Sequence, residues 1–326
     1  MNGSMAAAAV EPGRDRGEVW AIVLAGGEGT RLRSLTRYVC GDDRPKQYAT
    51  LVGARSLLQL TLDRVAMDIA PERTVVVVRR DHAEYLGDVA GGPWRLLAQP
   101  QDRGTAVAIL WAAHWISWRD PGATVAVFPS DHFVLGAKAL MDHAMAAGSF
   151  VDRHPDVGVL LGARAADPEV GYGWIERGPR IGVVASEPAW QVRRFLEKPT
   201  PQVARECWAR GDLWNTFILV ATAAWLIELG CEALPTASDG LAAMEPLTGT
   251  RAESRAMERA FALLPGADFS RAIAQLYPAR FAVSPLPARV TWSDWGTPAR
   301  VVQSLHAVGV SPHWLDRLEQ RRAVPA

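Results

Sequence analysis

VWAIVLAGGEGTRL (19–32) decides the fold. Its first seven residues are continuously apolar, which suits a strand buried on both faces of a parallel sheet rather than a half-exposed, alternating one. Gly26-Gly27 then break the strand. A glycine-rich turn after a buried strand is where open α/β sheets place phosphates. Similar apolar runs recur at TVVVVR (74–79), TVAVF (124–128) and VGVLLGA (157–163), separated by helical periodicity such as 56–69 and 105–118. Strands alternating with helices predict right-handed crossovers. The expected fold class is therefore α/β: a single Rossmann-like domain with a mostly parallel mixed sheet and helices on both faces.

Beyond about residue 165 the texture changes. Strand-like pieces at 173–176 and 190–197 lie among Gly and Pro turns, helical patterns cover 201–210, 220–232 and 252–264, and 279–287 reads as a further strand. The reading divides the chain into a disordered leader (1–17), one catalytic domain (18–300) and a helical tail (301–326). The alanine run of the leader has no basic region before it and is too short for a signal peptide, so a cytoplasmic location is expected. No hexapeptide repeat announces an appended β-helix.

The 326 residues carry 35 Lys plus Arg against 35 Asp plus Glu, a balance that argues against coating nucleic acid or an anionic membrane. Hydrophobic residues make up 49%, enough for a sizeable core. Three dispersed cysteines, Cys40, Cys207 and Cys231, exclude a disulfide scaffold and a cysteine-rich metal site. No apolar run approaches the roughly 20 residues of a membrane span. Of the 13 tryptophans, Trp111, Trp115 and Trp118 share one helix face, which reads as core or as an interface compatible with a homodimer.

The turn itself discriminates between phosphate-binding classes. Gly26, Gly27 and Gly29 let backbone N–H groups approach an anion. A Walker loop would need Gly-Lys-Ser/Thr, which is absent, and the dinucleotide fingerprint would need glycine where Leu32 stands. Arg31 lies inside the turn, Thr30 precedes it, and Lys46 follows in RPKQ (44–47). Two cations at this spacing suit a polyphosphate, whereas the bland alternative is a tight turn. Asp131 ends the strand 124–128, where ligands collect in α/β sheets; its alternative is a helix cap. Asp294 in WSDWGT supplies a second carboxylate, or a turn residue. His132 has no partner at zinc-ligand spacing.

VLAGGEGTRL (23–32) followed by RPKQ resembles the signature of sugar-1-phosphate nucleotidyltransferases, in the form seen in the mannose-1-phosphate guanylyltransferase branch. Further blocks follow in family order: QPQDRGTAVAI (99–109), FPSDHFV (128–134), GYGWIE (171–176), FLEKPT (195–200) and WSDWGT (292–297). The resemblance implies transfer of a nucleotidyl group from an NTP, here GTP, to a sugar 1-phosphate, here mannose 1-phosphate, with pyrophosphate leaving and Mg²⁺ held by Asp131 and Asp294. It implies that Arg31 and Lys46 serve the triphosphate and Lys198 the sugar phosphate. It places Gly171, Tyr172, Gly173, Glu176, Glu197 and Asn215 at the sugar, and Gln99, Arg103, Gly104 and Thr105 at the base.

The family pattern is not kept throughout. Gly104 stands where Asn is usual and Gln99 where Glu is usual. In LWNTFIL (213–219), Thr216 and Phe217 replace Ser and Gly, and a Phe there would shrink the sugar pocket or move the chain. Alternatives therefore include the same reaction with another sugar 1-phosphate or NTP, and a non-catalytic nucleotide-sugar-binding regulator. An NAD-dependent oxidoreductase is disfavoured by Leu32 and Arg31. At this length, no fused phosphomannose isomerase activity is expected.

Overall fold

The computed structural model describes residues 18–323; the expected leader, residues 1–17, lies outside them. In chain order the elements are β1 (Val19–Ala25), α1 (Arg33–Cys40), α2 (Leu57–Val65), β2 (Thr74–Arg79), β3 (Arg95–Gln99), α3 (Gly104–Ser117), β4 (Thr124–Pro129), β5 (Phe133–Leu135) and α4 (Ala137–Arg153). Then come β6 (Gly158–Arg164), β7 (Gly173–Val184), β8 (Glu187–Glu197), α5 (Pro201–Arg210), β9 (Leu213–Thr222), α6 (Ala223–Ala233), α7 (Pro235–Ala242) and α8 (Glu253–Leu263). The chain closes with β10 (Phe281–Pro285), β11 (Thr291–Ser293), α9 (Pro298–Ala307) and α10 (His313–Ala323).

Nine strands form one sheet in the order β3-β2-β1-β4-β9-β6-β10-β8-β7. The half from β3 to β4 is parallel, with Val23 opposite Val76 and Ile22 opposite Val127. β9 runs antiparallel to both β4 and β6 and joins this half to the long β7–β8 hairpin. Both faces of β1 are buried, as its unbroken apolar run requires: Ile22 packs into the layer of α3 and α6, Ala21 and Val23 into the layer of α2 and α4. Trp111 and Trp115 are buried on α3, Trp111 edge-on to Phe261, and Arg119 lies over the Trp115 ring. Trp111 and Trp115 are therefore core, and Trp118 packs partly buried against it.

A two-stranded ribbon, β5 against β11, pairs Phe133 with Ser293. It joins a small third core in which Phe133 stacks on Trp295 with centroids 4.7 Å apart, alongside Leu32, Leu35, Val301, Leu305 and Trp314. α9 and α10 thus pack directly beneath the glycine-rich turn. No helix of the described residues is long and apolar enough to cross a membrane.

Candidate active site

A cleft of about 390 Å³ opens at the C-terminal ends of β1, β3 and β4. Gly26, Gly27 and Arg31 form one lip. The turn is laced from below: Gln47 Nε2 donates to the carbonyls of Ala25 (3.0 Å) and Gly27 (2.7 Å), and the Tyr48 hydroxyl donates to Ala25. Gly29 has φ +61°, and a Cβ there would fall 2.8 Å from the Lys46 backbone nitrogen, so the close approach of 44–47 requires glycine. Thr30 is exposed in the short helical turn that follows and is not in the cleft wall. Arg79 at the end of β2 pairs with Glu28 of the turn, a brace that the sequence reading did not include.

The two aspartates meet because of the ribbon. Pairing of Phe133 with Ser293 brings the residues just before β5 beside the one just after β11. Buried Lys46 ties them together: its ammonium lies 3.1 Å from Asp131 Oδ2 and donates to the carbonyl of Asp294. Burial pushes the Asp131 carboxyl up, but Lys46 and, in acid, the protonated His132 ring together outweigh it and hold the group below its ordinary value. Asp294 follows the same pattern, burial being outweighed by the charges around it: His132 where its ring is protonated in acid, then Arg300 and Lys46. Asp294 Oδ1 accepts from the Gly296 amide (2.8 Å) and from Arg300 (2.6 Å). A Cβ on Gly296 would fall 2.5 Å from Oδ2, so glycine keeps that oxygen uncrowded.

The Trp292 indole can only donate, and it gives its hydrogen bond to His132 Nδ1 at 3.1 Å. Burial lowers the ring's pKa to about 4, so the neutral imidazole carries its proton on Nε2, 3.6 Å from Asp131 Oδ1. Among the described residues no three His, Cys, Asp or Glu converge as a metal cage. Two ionised carboxylates with room for further oxygens fit a hard divalent cation whose shell is completed by phosphate and water.

At the opposite end, Tyr172 is buried against Trp214 and Trp292, and the Arg300 guanidinium lies 4.4 Å from its ring centroid. Arg300 also pairs with Glu169 (2.6 Å), whose other oxygen accepts from the Gly171 amide. It therefore links the carboxylate end to the Gly171–Gly173 loop. Gly173 leaves no space for a side chain: a Cβ would meet Glu197 Oε2 at 2.9 Å and Asn215 Cβ at 3.2 Å. Lys198 lines the cleft and pairs with Glu197 at 2.7 Å. Asn215 lines it too, its Oδ1 accepting from the Phe217 amide at 3.0 Å.

Gln99 and the start of α3 close the third side. Gln99 is buried at the end of β3, and its Nε2 has no hydrogen-bond partner. Gly104 takes φ +80°, and a Cβ there would strike the Ala267 carbonyl at 2.3 Å. Glycine is thus required by the segment that follows α8, which bonds Ala267 O to the Ala106 amide and Phe269 N to Thr105 Oγ1. That segment adds Asp268 and Ser270 to the lining.

Besides Thr30, Arg103 and Glu176 were expected at the ligands and point elsewhere. Arg103 donates to the carbonyls of Phe261 and Ala262, satisfying the C-terminal end of α8. Glu176 pairs across the hairpin with Arg194 (3.0 Å) and lies near Arg193 and Arg210, outside the cleft wall. Gly26, Gly27, Arg31, Gln99, Gly104, Thr105, Asp131, Gly171, Tyr172, Gly173, Glu197, Lys198, Asn215 and Asp294 are brought together, with Lys46 beneath them.

This arrangement matches a known family. A family model described as nucleotidyl transferase matches residues 20–307, so the chain belongs to that family, and the match runs on through α9. Its relatives point to the mannose-1-phosphate guanylyltransferase branch. The xanthan biosynthesis protein XanB of Xanthomonas campestris pv. campestris is 33% identical over 216 residues, 65% of this chain and 44% of that protein. A mannose-1-phosphate guanylyltransferase of Escherichia coli is 30% identical over 200 residues, 60% and 41% of the two chains. The chain thus matches less than half the length of these curated relatives. The crystal structure of a protein described as mannose-1-phosphate geranyltransferase from Thermus thermophilus superposes with TM-score 0.75 and 30% identity, covering 90% of this chain and 80% of that one. A UDP-glucose pyrophosphorylase complexed with UDP-glucose, 14% identical with TM-score 0.53, shares the fold.

Proposed function

We propose that this chain transfers a nucleotidyl group from an NTP to a sugar 1-phosphate, with GTP and mannose 1-phosphate as the pair. The observation that carries the reading is the meeting of Asp131 and Asp294, both held ionised, opposite the Gly26–Arg31 lip and Lys198 in one cleft. A phosphate oxygen of the sugar 1-phosphate attacks the α-phosphorus of the NTP, and pyrophosphate leaves. The nucleophile is already an anion, so no general base is required, and the protein's work is positioning and charge neutralisation.

Gly26 and Gly27 offer backbone amides, and Arg31 a guanidinium, to the triphosphate. Lys198 holds the sugar phosphate, while Glu197 and Asn215 accept or donate at sugar hydroxyls. Gln99 lines the side of the cleft assigned to the base. The family generally uses a divalent metal ion, and Mg²⁺ held by Asp131 and Asp294 would neutralise the phosphate charge that builds up during transfer. Nucleotide choice is tested by thermal shift with Mg²⁺ and saturating nucleotide sugars. At equal concentrations GDP-mannose should raise Tm more than ADP-, UDP- or dTDP-hexoses, since stabilisation by a ligand of the folded state grows with the logarithm of its concentration over Kd. Equal shifts from all would remove the assignment to guanine.

A further inference from the structure

β9 does not run straight past the cleft. Its partner β6 steps from Leu161 to Gly162 while β9 steps from Ile218 back to Asn215, so Thr216 and Phe217 form a bulge. Phe217 takes φ +61° there, a left-handed conformation that costs little for glycine and is an outlier for an aromatic residue. The bulge is braced at each polar group: Thr216 Oγ1 donates to the Leu161 carbonyl and accepts from the Ile218 amide, and Asn215 Oδ1 accepts the Phe217 amide. The half-buried Phe217 ring lines the cleft between Asn215 and Ser270 and packs edge-on against Phe269. Beneath it lies only a small apolar void walled by Ile109, Leu160, Phe195 and Leu219.

We propose that Phe217, backed by Phe269, is the residue that limits which sugar 1-phosphates enter the cleft. The inference rests on the nucleotidyltransferase reading and adds the substrate class: hexose 1-phosphates without bulky substituents, their C–H face against the ring. The ring takes up cleft volume that a bulky sugar substituent, such as a 2-acetamido group, would otherwise fill. Strain is retained at Phe217 because the three braces over-determine the backbone, and a strained aromatic held in a cleft wall serves recognition.

The test compares wild type with Phe217→Ala and Phe217→Gly. The readout is the ratio of kcat/KM for N-acetylglucosamine 1-phosphate to that for mannose 1-phosphate, with GTP. Both variants should raise the ratio by about 10-fold or more, the scale on which a pocket discriminates by shape. Phe217→Gly should melt a few degrees above Phe217→Ala, because glycine adopts the bulge conformation without strain; this variant keeps the test alive if alanine is poorly folded. Turnover with an unchanged ratio overturns the inference and leaves the nucleotidyltransferase reading standing. If no pair is turned over, that reading fails, and calorimetric affinities for the two sugar phosphates decide: a shifted affinity ratio upholds the role of Phe217, and an unshifted ratio or no binding overturns it.

Discussion

At the end of the cleft assigned to the phosphates, Asp131 and Asp294 are held by elements from elsewhere in the chain. Lys46 reaches from the turn after α1 to Asp131 and to the backbone of Asp294, and the β5–β11 ribbon sets their spacing. At the sugar and base end the walls are irregular backbone: the bulge at Thr216–Phe217, the left-handed Gly104, and the 264–270 segment clamped onto α3. The first end keeps the residue pattern of the family, while the second departs from it at Gly104, Thr216 and Phe217. Phosphate transfer fixes where charges must sit, whereas a bulge or an extra loop reshapes a pocket without moving them. Under the proposed reaction, chemistry and specificity would be carried by separable parts of one cleft.

The largest effect expected from breaking this division is at Asp131. Asp131→Asn should lower Mg²⁺-dependent pyrophosphate release by at least about 10²-fold while the far-UV CD spectrum is unchanged. A near-wild-type rate would show that the phosphate end is not where transfer occurs. Next is Trp295→Ala. This fully buried ring, stacked on Phe133, adjoins Asp294, and its loss should cost about 3–5 kcal/mol in urea unfolding. A cost below about 1 kcal/mol would mean that the third core does not hold the carboxylates.

Lys198→Ala should raise KM for the sugar 1-phosphate about 10- to 100-fold, the worth of a charge-assisted hydrogen bond, with little change in KM for the NTP. An effect confined to the NTP would place Lys198 at the wrong end. The smallest effect lies outside the cleft. Burial lowers the His114 and His143 pKa values to about 4, against about 6.5 in an unfolded chain. The unfolded state therefore takes up protons first as pH falls from about 6.5 to 4, and stability is lost across that window at up to about 1.4 kcal/mol per pH unit per ring. His114→Leu should make this slope shallower without changing stability's pH dependence above 7, measured by urea titration at each pH.

Much of the fold was legible because buried parallel strands are unbroken apolar runs, as in Val19–Ala25 and Thr74–Arg79. β9 was hidden: its bulge interrupts the alternation that marks a strand, and it was read only as a motif running into a helix. The phosphate-end residues were legible from the resemblance, but their mutual support was not. Nothing in RPKQ says that Lys46 will be buried against Asp131, or that Gln47 will hold the turn. Glu176 and Arg103 were placed at ligands because motif position does not reveal a cross-strand Arg194 or an orphan helix end. Arg300, Asp268 and Ser270 left no signal, since only tertiary contact brings α9 and the 264–270 segment to the cleft.

The most direct test of the account is pyrophosphate release by the wild-type chain with Mg²⁺, across four NTPs and a panel of sugar 1-phosphates. Saturable, metal-dependent release, greatest with GTP and mannose 1-phosphate, is expected. No release from any pair, by protein shown to be folded, would contradict it.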